Sequence, residues 1–555
     1  MRIGVKPFRD PEKGKFAVGL NMFRQICAAA ALVAMTGAAA AQSTLVACTE
    51  GSPDNLNPQF SGSNTTYDYA QQVYDRLVAN EIGGSKLIPA LAESWENSAD
   101  GLTWTLHLRR GVKWHSNRHF TPTRDFNADD VIYTFDRMGN PDHPYHRIGG
   151  TGYGMYDNAL KTRLDRIEKV DDYTVRFVLK VPIAAFLATL TVEPMSIMSA
   201  EYGQKMLAAK TPDLYNQQPI GTGAFQFVAF QRDSFVRFRA FPQHWAKQAG
   251  LTDRTAQVDN LVFAITPDPS VRLAKLRAGE CHIARYPNPA DLETIKADPN
   301  LTTLEVSGAD YGFLAVNQAK KPFDDIRVRQ AIEHAINYDA LIDAVYRGTG
   351  RRAAALIPPA LWGHNPDLKP RAYDPARAKA LLAEAGLADG FSTTLWALPV
   401  TRGYMPNGRR AAEMIQADLA AVGIRASITT FEWGEYLRRA RQGEHEIAMA
   451  GYIYDYPDPS QIILSGWTCA AVESGGNRAH WCNKEFNDLI EQANATSDQA
   501  KRAELYIRAQ KIAYDDAATF LIANSSTFTP IRKEVVGYRV HVFGGQPFVG
   551  VSLRR

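Results

Sequence analysis

The chain has 555 residues, of which 45% are hydrophobic and 22% charged, ordinary values for a folded protein that exclude disorder on a large scale. A single hydrophobic core stops growing at roughly 250–300 residues, so at least two lobes are expected. The formal net charge of +3 falls to −1 once the N-terminal leader is removed, and a chain so balanced has no electrostatic reason to bind nucleic acid or an anionic membrane.

The first element in chain order is not part of the fold. Residues 26–41 read ICAAAALVAMTGAAAA, preceded by Arg24 and ending in Ala39-Ala40-Ala41. A short, Ala-rich apolar run behind a basic residue, closed by a small-x-small site, reads as a secretory signal covering 1–41 and cleaved before Gln42. Met22 is an alternative start that leaves a compact charged leader. Cleavage removes six basic and two acidic residues, which takes the formal charge from +3 to −1. A competing reading takes Leu45-Val46-Ala47-Cys48 as a lipobox, with Cys48 as a lipid anchor. No other segment approaches about 18 apolar residues, so no membrane-spanning helix is expected.

Four cysteines remain after the signal: Cys48, Cys281, Cys469 and Cys482. An even number in an exported chain suggests two disulfides, and four cysteines allow three pairings. Cys469–Cys482 is the natural local pair, closing a small loop worth roughly 3 kcal/mol on a chain-entropy argument. That leaves Cys48–Cys281. Neither pair has the close CxxC spacing of a zinc site.

Further along, Trp104 to Leu108 and the set Tyr173, Val175, Phe177 and Leu179 alternate apolar and polar residues, as strands with one buried face do. Phe225 to Phe230 and Phe235 to Phe238 bracket a hairpin. From about residue 310 helix and strand alternate. Asp374 and Pro375 give an N-cap and first-turn pair for a helix that Gly386 closes. Residues 391–398 read as a strand, 409–422 as a helix with Ala412, Ile415, Leu419 and Val422 on one face, and 424–429 as the next strand. This βαβ spacing implies a parallel sheet. Helix signals recur over 325–346 and 484–515, and the last 30 residues turn strand-like.

No nucleophile elbow, zinc-protease helix or phosphate loop is present. Gly149-Gly150-Thr151-Gly152-Tyr153-Gly154 has no strand–helix context. His115 and His119 lie in a polar loop beside Pro122, and His143 and His146 flank Pro144, so no metal site is assigned. No catalytic residue and no cofactor are assigned either.

The stretches Leu91-Ala92-Glu93-Ser94-Trp95-Glu96, Asp100-Gly101-Leu102-Thr103-Trp104-Thr105-Leu106-His107-Leu108-Arg109 and Gly111-Val112-Lys113-Trp114-His115 resemble the hallmark of the family 5 bacterial extracellular solute-binding proteins. So do Asn127-Ala128-Asp129-Asp130-Val131, Pro219-Ile220-Gly221-Thr222-Gly223-Ala224-Phe225, Ile265-Thr266-Pro267-Asp268 and Arg327-Val328-Arg329-Gln330-Ala331. The resemblance runs through residues 44–555. Within the family it is strongest to the dipeptide-binding members, through Tyr286-Pro287-Asn288-Pro289-Ala290-Asp291, Glu432-Trp433-Gly434-Glu435-Tyr436-Leu437 and Ser525-Ser526-Thr527-Phe528. The four cysteines also fall where those members carry disulfides, which implies the pairs Cys48–Cys281 and Cys469–Cys482.

The resemblance implies an α/β, two-lobed periplasmic-binding-protein fold of type II-like, large peptide-binding kind, with the ligand cleft between the lobes. Lobe 1 is expected over 42–307 plus 527–555, with an extra subdomain at about 81–218, and lobe 2 over 308–526. The implied role is that of a periplasmic monomer that captures a dipeptide or short peptide and passes it to the permease subunits of an inner-membrane ABC transporter. Nucleic acid is not an expected partner. Arg402 matches the family's ligand-carboxylate residue and Asp455 its ligand-ammonium residue, with Asp458 as a fallback. Tyr404, Trp433, Tyr452 and Tyr454 are expected to pack the peptide.

A free dipeptide is a zwitterion, and enclosing it requires one fixed cation and one fixed anion to offset desolvation. The flanks depart from the family pattern. Tyr452-Ile453-Tyr454 and Tyr456-Pro457 stand where the dipeptide binders have Trp-Thr-Gly and Asn-Gly, and Gly403 and Met405 replace Pro and Asn. These changes leave room for other cargo known among related proteins, such as oligopeptides, haem, 5-aminolevulinate or a nickel chelate. A secreted peptide hydrolase is the reading from another class.

Overall fold

The computed structural model describes residues 42–554 except positions 54, 62, 150, 151, 400 and 432, with the side chains of 158 and 433 also left out. The expected signal segment and Met22 lie outside the described residues. From Ser43 onward the chain forms one unit containing two large hydrophobic cores.

The first core is built on the strand Thr44–Thr49. It runs parallel to Asn260–Ile265 on one side and to Ile283–Ala284 on the other. Asn260–Ile265 pairs antiparallel with Phe235–Ala240, which forms the expected hairpin with Phe225–Gln231 around Asp233 at φ 58°. A separate four-stranded antiparallel sheet contains Ala92–Asn97, Thr103–Leu108, Thr174–Leu179 and Leu164–Asp171. Its alternating residues Trp104, Leu106, Val175 and Phe177 point inward, and their core is continuous with that of the first lobe.

The βαβ unit of the second lobe follows the sequence signals closely. The helix Pro375–Glu384 starts where the Asp374 side chain accepts a bond from the Arg377 amide (2.9 Å). Phe391–Trp396 and Ile424–Thr429 are parallel neighbours joined by the helix Gly408–Ala421. The helical signal at 325–346 is two helices, Ile326–Ala335 and Tyr338–Tyr346, because Asn337 caps the second one by accepting from the Ala340 amide. The signal at 484–515 likewise divides into Lys484–Asn494 and Gln499–Asp515, with Asp498 as the new cap.

Two segments cross between the lobes. One joins Leu301–Ser307 to Asp310–Val316. The other is the 13-residue strand Phe520–Arg532, whose first part pairs with Asp310–Val316 and whose second part pairs with Leu301–Ser307. Asp310 fastens the two crossovers: its carboxylate accepts from the Ser525 amide (2.8 Å) and hydroxyl (2.6 Å). Beyond this strand the residues are largely loop, not strand as their composition suggested. They are held by side chains of the first lobe: the Gln546 amide donates to Asp68 and the Gly545 amide to Glu193.

Cys48 is bonded to Cys281 and Cys469 to Cys482. Cys48 lies buried in the first strand. A thiol enclosed in a sheet and joined to another cysteine cannot carry a lipid, which overturns the lipobox reading.

Candidate functional site

The strands Phe391–Trp396 and Ile447–Ile453 run parallel, and the latter pairs antiparallel with Asp310–Val316. Both anchor candidates lie just past the C-terminal ends of the two parallel strands, the place where open α/β sheets bind ligands. Arg402 follows Phe391–Trp396 and Asp455 follows Ile447–Ile453.

A close approach of backbones seats the Arg402 loop. Arg402 and Met405 exchange main-chain hydrogen bonds of 3.1 and 3.0 Å, which closes a tight turn. The turn rests on two glycines that face each other across the strand pair, Gly312 and Gly451. A Cβ on Gly451 would overlap the Tyr404 ring, and one on Gly312 would overlap the Tyr404 carbonyl. That carbonyl also accepts a 2.5 Å bond from the Tyr346 hydroxyl. Tyr404 is therefore buried on the sheet, at 5% exposure. Burial pushes its phenol up, opposed by the guanidiniums of Arg402 and Arg478. Arg402 is half-buried and donates to the Thr401 carbonyl at 3.0 Å.

Asp455 is held from the helix Ser460–Gly466. The Gln461 amide nitrogen donates to its carboxylate at 2.6 Å, and the Gln461 oxygen accepts from the Asp455 amide at 2.9 Å. Burial raises its carboxyl above the usual value of 3.8, with the Gln461 bond acting the other way. Among the described residues no Lys, Arg or His forms an ion pair with it. Its charge is felt by Glu193 of the first core.

Asp458 is in another situation. It is buried in a bidentate pair with Arg502, both contacts 2.7 Å, and also accepts from the Ser460 amide and hydroxyl. Its oxygens are occupied inside the lobe, so it is not placed to replace Asp455.

The aromatic candidates divide. Tyr452 is half-buried, stacked on Phe313 with ring centres 5.3 Å apart, and donates to the Gly476 carbonyl at 2.5 Å. Tyr454 is 1% exposed: its amide donates to the Ala309 carbonyl (2.8 Å) and its ring belongs to the second core. It supports the turn from within. Trp433 opens the helix Trp433–Arg441, and its side chain lies outside the described residues. Sequence reasoning did not single out Gln461 or Arg478. Neither has a local signature, because Gln461 matters through a contact six residues back and Arg478 through folding of the loop closed by Cys469–Cys482.

His115 is a structural group, buried with its Nε2 at 2.8 Å from the Gly223 carbonyl. No cluster of three or more His, Cys, Asp or Glu side chains able to hold a metal occurs among the described residues.

A sequence model described as bacterial extracellular solute-binding proteins, family 5 middle, matches residues 86–474. The dipeptide-binding protein of Escherichia coli (strain K12) is 50% identical over 556 residues, covering 100% of both chains. The solved structure of HbpA2 from Haemophilus parasuis superposes with a TM-score of 0.88 at 39% identity, over 92% of this chain and 100% of that one. A dipeptide-binding protein from Pseudoalteromonas sp. SM9913, solved in complex with Met-Leu, gives a TM-score of 0.74 at 34% identity, over 92% of this chain and 100% of that one.

Proposed function

The chain belongs to the family 5 bacterial extracellular solute-binding proteins, and from that premise we propose that it captures dipeptides for an ABC-type importer. It is exported to the periplasm, encloses the peptide between its lobes and presents it to permease subunits in the inner membrane. It does no chemistry on the ligand.

The observation that carries this reading is the Asp455 carboxylate. It is partly buried at a sheet end, oriented by Gln461, and has no cationic partner among the described residues. A desolvated carboxylate in that state is stabilised by an incoming ammonium. Arg402, on the loop that follows the adjacent strand, is the matching cation for the peptide carboxylate, and a guanidinium can bind that group bidentately. The relative solved with Met-Leu supports a dipeptide as the cargo. Tyr452, half-buried beside this sheet end, is the aromatic side chain left to pack the peptide.

Titration calorimetry tests the reading on protein freed of carried-over ligand by unfolding and refolding. Ala-Ala binds, and N-acetyl-Ala-Ala, which lacks the ammonium, does not. Tighter binding of tetra-Ala than of Ala-Ala would assign longer peptides, and release of free alanine would indicate a hydrolase.

A further inference from the structure

A second guanidinium stands at this end of the sheet, over the Tyr452 ring. Arg478 sits in the loop between Cys469 and Cys482, where its backbone carbonyl accepts from His445 (2.8 Å). Its guanidinium carbon is 5.5 Å from the centre of the Tyr452 ring, and it acts together with Arg402 on the Tyr404 hydroxyl. It therefore packs on one of the candidate aromatic side chains at this end of the sheet.

The charge of Arg478 is not compensated. Its Nε is buried without a hydrogen-bond partner, and among the described residues no Asp or Glu forms an ion pair with it. The ionisable groups that weigh most on His445 are also basic, Lys320 and His480, and the carboxylates of the flanking Glu444 and Glu446 are engaged by Arg439 and by Thr393 and Thr394. Asp310, the carboxylate that acts on Tyr404, is already bonded to Ser525. A partly desolvated cation in a basic neighbourhood is relieved by an anion, and a guanidinium matches a carboxylate best.

The main chain of a dipeptide supplies one carboxylate, and the site presents two guanidiniums. We propose that Arg478 is a second anion-binding side chain of this site, which selects dipeptides whose second residue is acidic. The main-chain carboxylate goes to Arg402 and the side-chain carboxylate to Arg478. This rests on the dipeptide reading and extends it from a ligand length to a ligand charge.

The test compares Ala-Glu with its isostere Ala-Gln, and Ala-Asp with Ala-Asn, by titration calorimetry on the wild type, Arg478→Gln and Arg478→Lys, with Ala-Ala as reference. In the wild type the acidic peptide binds at least about tenfold tighter than its amide. The ratio falls to about one in Arg478→Gln and stays intermediate in Arg478→Lys, which keeps the charge but loses the planar fork. Each ratio is internal to one preparation, so partial loss of fold does not move it. A wild-type ratio of one or less overturns the proposal even where Arg478→Gln does not fold, and so does a preference that survives in Arg478→Gln. If Ala-Ala binds and the ratio is flat, only the role of Arg478 falls. If no dipeptide binds to the wild type, the dipeptide reading falls and this proposal with it.

Discussion

A carboxylate that already holds a buried cation is poorly placed to accept another, and this separates two aspartates three residues apart. Asp458 faces Arg502 at 2.7 Å, whereas Asp455 faces Gln461. Removing one partner of a buried ion pair costs about 3–5 kcal/mol, so Asp458→Ala should lower the midpoint of denaturant unfolding strongly. Asp455→Ala should leave unfolding little changed and weaken Ala-Ala by at least about 2 kcal/mol in calorimetry. Only family resemblance ranked Asp455 above Asp458 in Asp455-Tyr456-Pro457-Asp458-Pro459, because the deciding partner, Arg502, is 44 residues further on. The pH dependence has a definite sign. Burial raises the carboxyl of Asp455 in the free protein, beside Glu193 and Tyr456, and a bound ammonium lowers it. Affinity is then complete above the raised value and is lost as pH falls through it. The loss begins above the range in which the peptide's own carboxyl protonates, roughly 3.3–3.7. Calorimetry across that window should show proton release on binding, and Asp455→Asn should abolish the release.

At the level of elements, the Arg402 loop is positioned by the absence of two side chains. Gly312 and Gly451 leave the hollow in which Tyr404 lies. The Tyr404 ring can swing away from a new methyl on Gly451, but the Tyr404 carbonyl, tied to Tyr346, cannot easily leave Gly312. Gly312→Ala should therefore displace the loop and reduce dipeptide affinity more than Gly451→Ala does, with a stability loss of about 1–3 kcal/mol from overpacking. The βαβ unit was legible because its caps and glycines are local signals: Asp374, Gly386 and Gly423 mark its boundaries in sequence and in structure. The two-helix breaks at Asn337 and Asp498 were less legible, since an apolar period continues across them and only the cap bonds end the first helix of each pair. The hollow under Tyr404 had no signature at all. It depends on the register that sets Gly312 opposite Gly451 across strands about 140 residues apart in the chain.

For the whole molecule, binding in a cleft between lobes joined by two crossovers couples ligand to hinge closure. A peptide that binds only the folded state should add about 2.7 kcal/mol at a hundred times its Kd, which a shift in the thermal unfolding midpoint measures. Small-angle X-ray scattering should show a smaller radius of gyration with Ala-Ala than without. The two-lobed architecture was readable through family resemblance. The crossover strand itself was read only as strand-like texture near residue 526, because nothing local announces that Phe520–Arg532 serves both lobes.

That shared strand also sets an order of assembly. Neither half of the sheet has its full complement of strands until residues 520–532 are available, and the loops of 537–551 that complete the first core come later still. A ribosome or a translocation channel delivers the chain from its N-terminus, so the early segments wait for the late ones. The four-stranded sheet of residues 92–179 is free of that order, so the 12-stranded sheet shared by both lobes is the part of the molecule that closes last.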